Sequence, residues 1–291
     1  MKIFSNCIPT ARYDELITNL PQYKDLPITI FSDRFAQSQE ELNINPINIV
    51  VLNEPDEFFG LHTAALQLYS QYTLILSWNE KVLNIVPNSY LMLPGEGTLK
   101  SDYINLFENT NDRVFEVTFL RGILNMIEGH KMRHKIFDIK PKLTTPHVWW
   151  PVLEDFNHSV NNRPGDDNGV QLWAEGKKKY IWNRKSMFHV AVENSSHKNY
   201  HTEKIIDCFA TKTIPIYWGC KNIEEYWDER GIIRFNNEHE LVDIINNLTP
   251  DDYYNRLPYI NNNYNLAKEN GNYFNRLKNF LDQIINLNNI K

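Results

Sequence analysis

Three features of the 291-residue sequence predict an α/β architecture of two medium domains, each a doubly wound, mostly parallel sheet. Short apolar runs recur, separated by amphipathic pieces of helix length. The alternation lapses in a polar stretch near residue 101 and then restarts. The chain is also longer than one ordinary core fills, and its 42% hydrophobic content is enough to bury two.

In the first half, KIFSNCI, ITIFSD (28–33), INIVVLN (47–53) and YTLILSW (72–78) read as strands, with FFGLHTAALQLYSQ as a helix among them. Apolar runs that do not alternate suit strands buried on both faces, as parallel sheets are. SYLMLPGEG (89–97) is expected to add a last short strand. SDYINLFENTNDR (101–113) is rich in Asn and Asp and has no period, so it is the expected linker between domains 1–112 and 113–291.

The second half repeats this pattern. RVFEVTFL is a strand and HKMRHKIFDI a helix; MFHVAVEN, EKIIDCFAT and TIPIYWG follow as strand, helix and strand. GIIRFN (231–236) reads as another strand, HELVDIINNL as a helix, and the Asn- and Tyr-rich segment from 253 onward as further helices. Residues 141–180, with NNRPGDDNG and a KKK run, receive no assignment. Doubly wound sheets bind ligands at the C-terminal ends of their strands, so a cleft between the two domains is expected.

Composition narrows the function. A net charge of −6 and a pI near 5.9 speak against a nucleic-acid partner. No run has the roughly 18 apolar residues of a membrane span. MKIFSNCIPTARYDELI lacks a signal-peptide core, and FLDQIINLNNIK is not a basic amphipathic anchor, so a cytoplasmic protein is expected. Cys7, Cys208 and Cys220 have no CxxC spacing and are read as free thiols. Neither GxGxxG after a strand nor GxxxxGK occurs, which weakens dehydrogenase and NTPase readings. No Asp-x-Asp pair is present to hold a metal against a diphosphate, and Asp166 with Asp167 reads as a turn. His189, His197 and His201 fall on a strand and a loop, which does not set them on one face as metal ligands. No metal and no obligatory cofactor are expected. Trp149 with Trp150 and Tyr217 with Trp218 suit core packing more commonly than sugar stacking, and neither pair is assigned a role.

The chemistry concentrates in NYHTEKIIDCFATKTIPIYWGC, residues 199–220. A strand ends at Asn194, a polar loop follows, and Thr202 is placed to cap the helix that begins at Glu203. Unpaired N–H groups at that helix start, with Lys204 beside them, suit a phosphate. Glu203 has acceptors for sugar hydroxyls. Plain capping by Thr202 and Glu203, with Lys204 solvated, is the alternative.

VENSSHKNYHTEKIIDCFATKTIPIYWG resembles the signature of the alpha-1,3-fucosyltransferases, glycosyltransferase family 10. The likeness is strong over Val192 to Cys220 and weaker elsewhere; Val192 stands where the family usually has Phe. The resemblance implies two facing Rossmann-like domains of the GT-B type, with the nucleotide sugar held mainly by the second. It implies that Asn194, Tyr200, Glu203 and Lys204 bind the donor, Lys204 near the diphosphate and Glu203 near the ribose. It also implies an Arg on the helix after the second domain's first strand; Arg133 is the choice, with Lys131 as competitor, and the family's Ser-Asn before that helix is absent.

Inverting sugar transfer needs a carboxylate to take the acceptor hydroxyl's proton. Glu54 directly follows the strand INIVVLN, at a sheet edge, and Asn53-Glu54-Pro55 resembles the family's Glu-Ser-Pro segment without its Ser. Asp56 and Glu57 are nearby alternatives. The reading is an inverting transferase that moves fucose from GDP-fucose to a hydroxyl of a glycan acceptor, with Arg133, Lys204 and a helix N-terminus stabilising the leaving diphosphate. A different nucleotide-sugar donor, or a sugar-nucleotide or glycan-binding module without turnover, stays open.

Overall fold

The computed structural model describes residues 1–6, 23–95, 112–120, 124–150, 185–270 and 273–288. They form two compact units. The first comprises Met1–Gly95, His197–Tyr200 and Tyr273–Lys291; the second comprises Glu96–Ser196 and His201–Asn272.

The first unit holds a five-stranded, all-parallel sheet in the order β1 (Lys2–Ser5), β2 (Ile28–Ser32), β3 (Ile47–Leu52), β4 (Leu74–Ser77) and β5 (Ser89–Leu91). Successive side chains of a strand point to opposite faces, so a run that is apolar throughout requires cover on both. Ile49 and Val51 join Ile28, Ile30 and Leu76 on one face, while Val50 and Leu52 join Phe31 and Ile75 on the other. The short helices α1 (Gln39–Leu42), α2 (Asp56–Phe59), α3 (Leu61–Leu68) and α4 (Glu80–Ile85) follow β2, β3 and β4, and Ala65 of α3 and Val82 of α4 cover the second face.

The first face is covered by Tyr273, Leu277 and Leu281 of the C-terminal helix. Their four-residue spacing makes one apolar stripe. From sequence alone this helix falls in the second domain, 113–291; a stripe of helical period shows that a face is buried but not which sheet buries it.

The second unit's sheet has the order β7 (His147–Trp150), β6 (Val114–Leu120), β8 (Ser186–Val192), β9 (Ile214–Trp218) and β10 (Ile233–Arg234), again all parallel. Helix α5 (Glu128–Asp138) follows β6 and α6 (Glu203–Ala210) joins β8 to β9; α7 (Glu238–Asn247), α8 (Pro250–Asn270) and the first unit's α9 (Tyr273–Asn288) end the chain. Strand β7 lies in the stretch left unassigned from sequence. Trp149 stacks on Phe119 with ring centroids 4.0 Å apart, and Tyr217 and Trp218 are buried in the same core, so these aromatics pack the interior. Cys208 and Cys220 are buried free thiols. Cys7, Asp166, Asp167 and nearly all of the expected linker lie outside the described residues. Among the described residues no helix is long and apolar enough to cross a membrane.

Candidate functional site

From β6 the chain goes first to one side, forming β7, and then to the other, forming β8. In an open parallel sheet that reversal leaves a crevice at the C-terminal ends of the two strands where the order turns, here β6 and β8. Helix α5, entered from β6, brings Arg133 to this edge, and β8 delivers Glu193 and Asn194.

The two arms meet through backbone. Gly129 N–H, in the first turn of α5, donates to the Asn194 carbonyl at 2.9 Å. A Cβ on Gly129 would overlap the Glu193 carbonyl oxygen and stand 2.7 Å from that of Asn194, so only glycine lets α5 approach so closely. One turn on, Arg133 donates from Nη1 to the Val192 carbonyl and from Nη2 to Asn194 Oδ1 at 2.9 Å. The planar fork of guanidinium donors suits this two-point grip.

Thr202 caps α6 as expected: its hydroxyl accepts from Lys204 N–H at 3.4 Å and from Lys204 Nζ at 3.0 Å. The same hydroxyl donates to Glu193 Oε2 at 2.6 Å, and Thr202 N–H donates to Glu193 Oε1 at 2.9 Å. Tyr217 Oη adds a longer bond to Oε1 at 3.4 Å. Burial raises the Glu193 carboxyl above the ordinary range, against the opposing pull of the Lys204 ammonium, 3.6 Å from Oε2. Lys204 Nζ also lies 3.2 Å from Glu203 Oε1. Burial, followed by the charges of Arg133, Lys204 and His134, lowers His130 to about 4. The charges of Arg133 and Lys204 thus both act on His130.

Arg133 and Asn194 are thus joined, as are Glu203 and Lys204, all in the second unit. Tyr200 is placed otherwise. It is buried in the first unit, with its ring centroid 4.7 Å from that of Trp78. Lys131 is exposed on α5. His189 meets the Thr118 hydroxyl at 2.9 Å, His197 meets Glu57 at 2.9 Å, and His201 packs against Tyr226 and Trp227.

Glu54 lies in the first unit, just past β3 at the C-terminal edge of its sheet. Its competitors have other work. Asp56 accepts from His62 N–H at 2.7 Å and from Thr63 N–H at 3.1 Å, which caps α3, and from the Thr63 hydroxyl at 2.5 Å. Burial raises Asp56, but the donors of Thr63 and the charge and N–H of His62 act against it and hold the carboxyl below its usual value. Glu57 pairs with His197 at the surface.

Sequence reasoning missed Asp33, His62 and Trp78 around Glu54, and Gly129, His130 and Glu193 around Arg133. A signal existed for two of them: Asp33 and Glu193 each stand immediately past a largely apolar strand, in ITIFSD and HVAVEN.

Residues 167–277 match the family model described as Glycosyltransferase family 10 (fucosyltransferase) C-term. The chain is 25% identical over 309 residues to a protein of Acanthamoeba polyphaga mimivirus that carries the name "Putative fucosyltransferase R654". That match takes in 88% of this chain and 49% of the viral protein, so the chain spans about half the length of this curated relative. A solved alpha1,3-fucosyltransferase superposes with a TM-score of 0.52 at 14% identity, covering 94% of this chain and 91% of its own. Another, solved with GDP-fucose, gives 0.51 at 17% identity, covering 88% and 80%. The fold is therefore shared with these GT-B type structures, and the resemblance read from Val192 to Cys220 is borne out by the matching family.

Proposed function

We propose that the protein is an inverting glycosyltransferase that moves fucose from GDP-fucose to a hydroxyl of a glycan acceptor. The observation that carries this reading is the meeting of Arg133 with Asn194 at the β6/β8 reversal, where the preceding residue, Glu193, lies 3.6 Å from Lys204 in the first turn of α6. Two cationic side chains and a helix N-terminus suit a diphosphate leaving group, whose charge grows as the glycosidic bond breaks. Glu203, at the first position of α6, offers a carboxylate to the ribose hydroxyls. Tyr200, buried against Trp78, holds the loop that leads toward α6. Glu54 takes the acceptor hydroxyl's proton as its oxygen attacks the anomeric carbon, and GDP departs from the opposite face. The donor identity draws support from the matching family and from the relative solved with GDP-fucose.

The test begins with thermal shifts of the purified protein against GDP, GDP-fucose, GDP-mannose, UDP and CMP sugars, since ligands of the folded state stabilise it. Stabilisation by GDP and GDP-fucose that Lys204→Ala abolishes is the expected result. GDP release from GDP-fucose is then followed over a library of free oligosaccharides, and the product's anomeric configuration is read by NMR. A response to UDP or CMP sugars alone would remove fucose; nucleotide binding with no turnover over the whole library would favour a binding module.

A further inference from the structure

Side chains hold the peptide groups on either side of the Asn53–Glu54 bond. Asp33, immediately after β2, has φ 50°, in the left-handed region that Asp tolerates better than most residues. Its Oδ1 accepts from Asn53 N–H at 2.7 Å and from Glu54 N–H at 2.9 Å, and Oδ2 accepts from Asn53 Nδ2 at 3.0 Å. Trp78 Nε1 donates to the Asn53 carbonyl at 2.9 Å. His62 Nε2 lies 3.1 Å from the Glu54 carbonyl, which can only accept, so Nε2 carries the proton. His62 Nδ1 then accepts from the Ser77 hydroxyl at 3.0 Å. Asp33, His62 and Trp78 are each at most 1% exposed.

A turn that merely reversed the chain would not need a buried carboxylate, because burying one is costly. Asp33 spends that cost on two consecutive amides, and the second belongs to Glu54. Pro55 restricts the same residue from its other side, since the position before a proline is pushed toward extended backbone.

We propose that Asp33 is the positioning residue for Glu54, with Trp78 and His62 as its partners. It fixes the Glu54 backbone so that the carboxylate starts from one direction, and it touches no reactant. This rests on reading Glu54 as the base.

The experiment uses the full chain with GDP-fucose and whichever library oligosaccharide the wild type fucosylates. It compares Asp33→Asn, Asp33→Ala, Trp78→Phe, Glu54→Gln and the double variant Asp33→Asn/Glu54→Gln. Asp33→Asn keeps an oxygen for the two amides but sets an NH2 group against Asn53 Nδ2. Trp78→Phe keeps an apolar ring and removes the indole N–H. Expected are a fall in kcat of about tenfold or more in Asp33→Asn, a larger one in Asp33→Ala, and a GDP-fucose Kd within threefold of wild type. Adding Asp33→Asn to Glu54→Gln costs nothing further, because the positioned group is already gone.

The proposal is overturned if Asp33→Asn turns over within twofold of wild type, if its Kd worsens in step with kcat, or if the two losses multiply. If the Asp33 variants do not fold, Trp78→Phe decides by its own kcat and Kd. Glu54→Gln with wild-type turnover removes the base reading and this proposal together. An inactive Glu54→Gln beside a fully active Asp33→Asn removes the positioning role alone.

Discussion

Arg133 and Asn194 come from opposite sides of a reversal in strand order and are joined by an Nη2–Oδ1 hydrogen bond of 2.9 Å. The bond occupies the Asn194 side-chain oxygen, while Nη1 holds the Val192 carbonyl at the end of β8. One guanidinium therefore fixes both the strand end and the side chain two positions beyond it. Arg133→Ala is expected to weaken GDP binding by about 10- to 100-fold, or about 1.4–2.8 kcal/mol. Arg133→Lys is expected to recover little, since one ammonium cannot span both acceptors. Calorimetric titration with GDP checks this, and with Asn194→Ala added the double variant should lose less than the sum of the single losses. Wild-type affinity in Arg133→Ala would remove Arg133 from the donor site.

Gly129 sets how near α5 comes to β8. In an exposed helix, Gly→Ala gains roughly 0.5–1 kcal/mol. Here the sign should reverse, because the new methyl would meet the Glu193 and Asn194 carbonyl groups, which are backbone and cannot rotate aside. Gly129→Ala is expected to destabilise by about 1–3 kcal/mol through overpacking and to weaken GDP binding by displacing Arg133. Urea unfolding at pH 7 measures the first effect; a stability equal to or above wild type would contradict the close approach.

Thr202 does two jobs with one hydroxyl: it accepts from the first turn of α6 and donates to the buried Glu193. Thr202→Val keeps the shape, removes the cap and leaves Glu193 without that donor. The expected loss is about 1–3 kcal/mol. Thr202→Ser should retain most of the stability. A Thr202→Val variant as stable as Thr202→Ser would show that the hydroxyl is dispensable.

The strands were legible because their apolar runs are short and punctuated, and Thr202 was legible because a cap stands next to the helix it serves. Strand β7 was not: HVWW at 147–150 has four residues, too few to carry a period, and it follows the Pro-containing stretch KPKLTTP. Tyr200 belongs to a motif whose order along the chain does not say that the ring is buried against Trp78, 122 positions earlier. Asp33 is not legible in the sequence because its partners, Asn53 and Glu54, lie about twenty residues away and are brought beside it only by the pairing of β2 with β3. Local patterns disclose local structure; the groups that orient Glu54 and Arg133 are joined by sheet neighbours, which one sequence does not list.

His62 provides a test that needs no substrate. Burial first, and the positive field of His197 to a lesser degree, lower its imidazole to about 4, although its bond to the Glu54 carbonyl and the charges of Asp56 and Glu57 pull the other way. In the unfolded chain the same group titrates near its ordinary 6.5. Between those values the unfolded state binds a proton that the folded state refuses, so stability falls as pH falls. The contribution is intact above pH 6.5 and lost progressively toward pH 4. Moving from pH 7 to pH 5 should cost about 2 kcal/mol through this group alone. His62→Gln keeps an N–H for the Glu54 carbonyl but cannot titrate, so it should lack that part of the loss. Urea unfolding of both proteins at the two pH values gives the difference. Equal losses in wild type and variant would mean that His62 accepts its proton as readily folded as unfolded, and that the imidazole is not the neutral donor to the Glu54 carbonyl that its surroundings require.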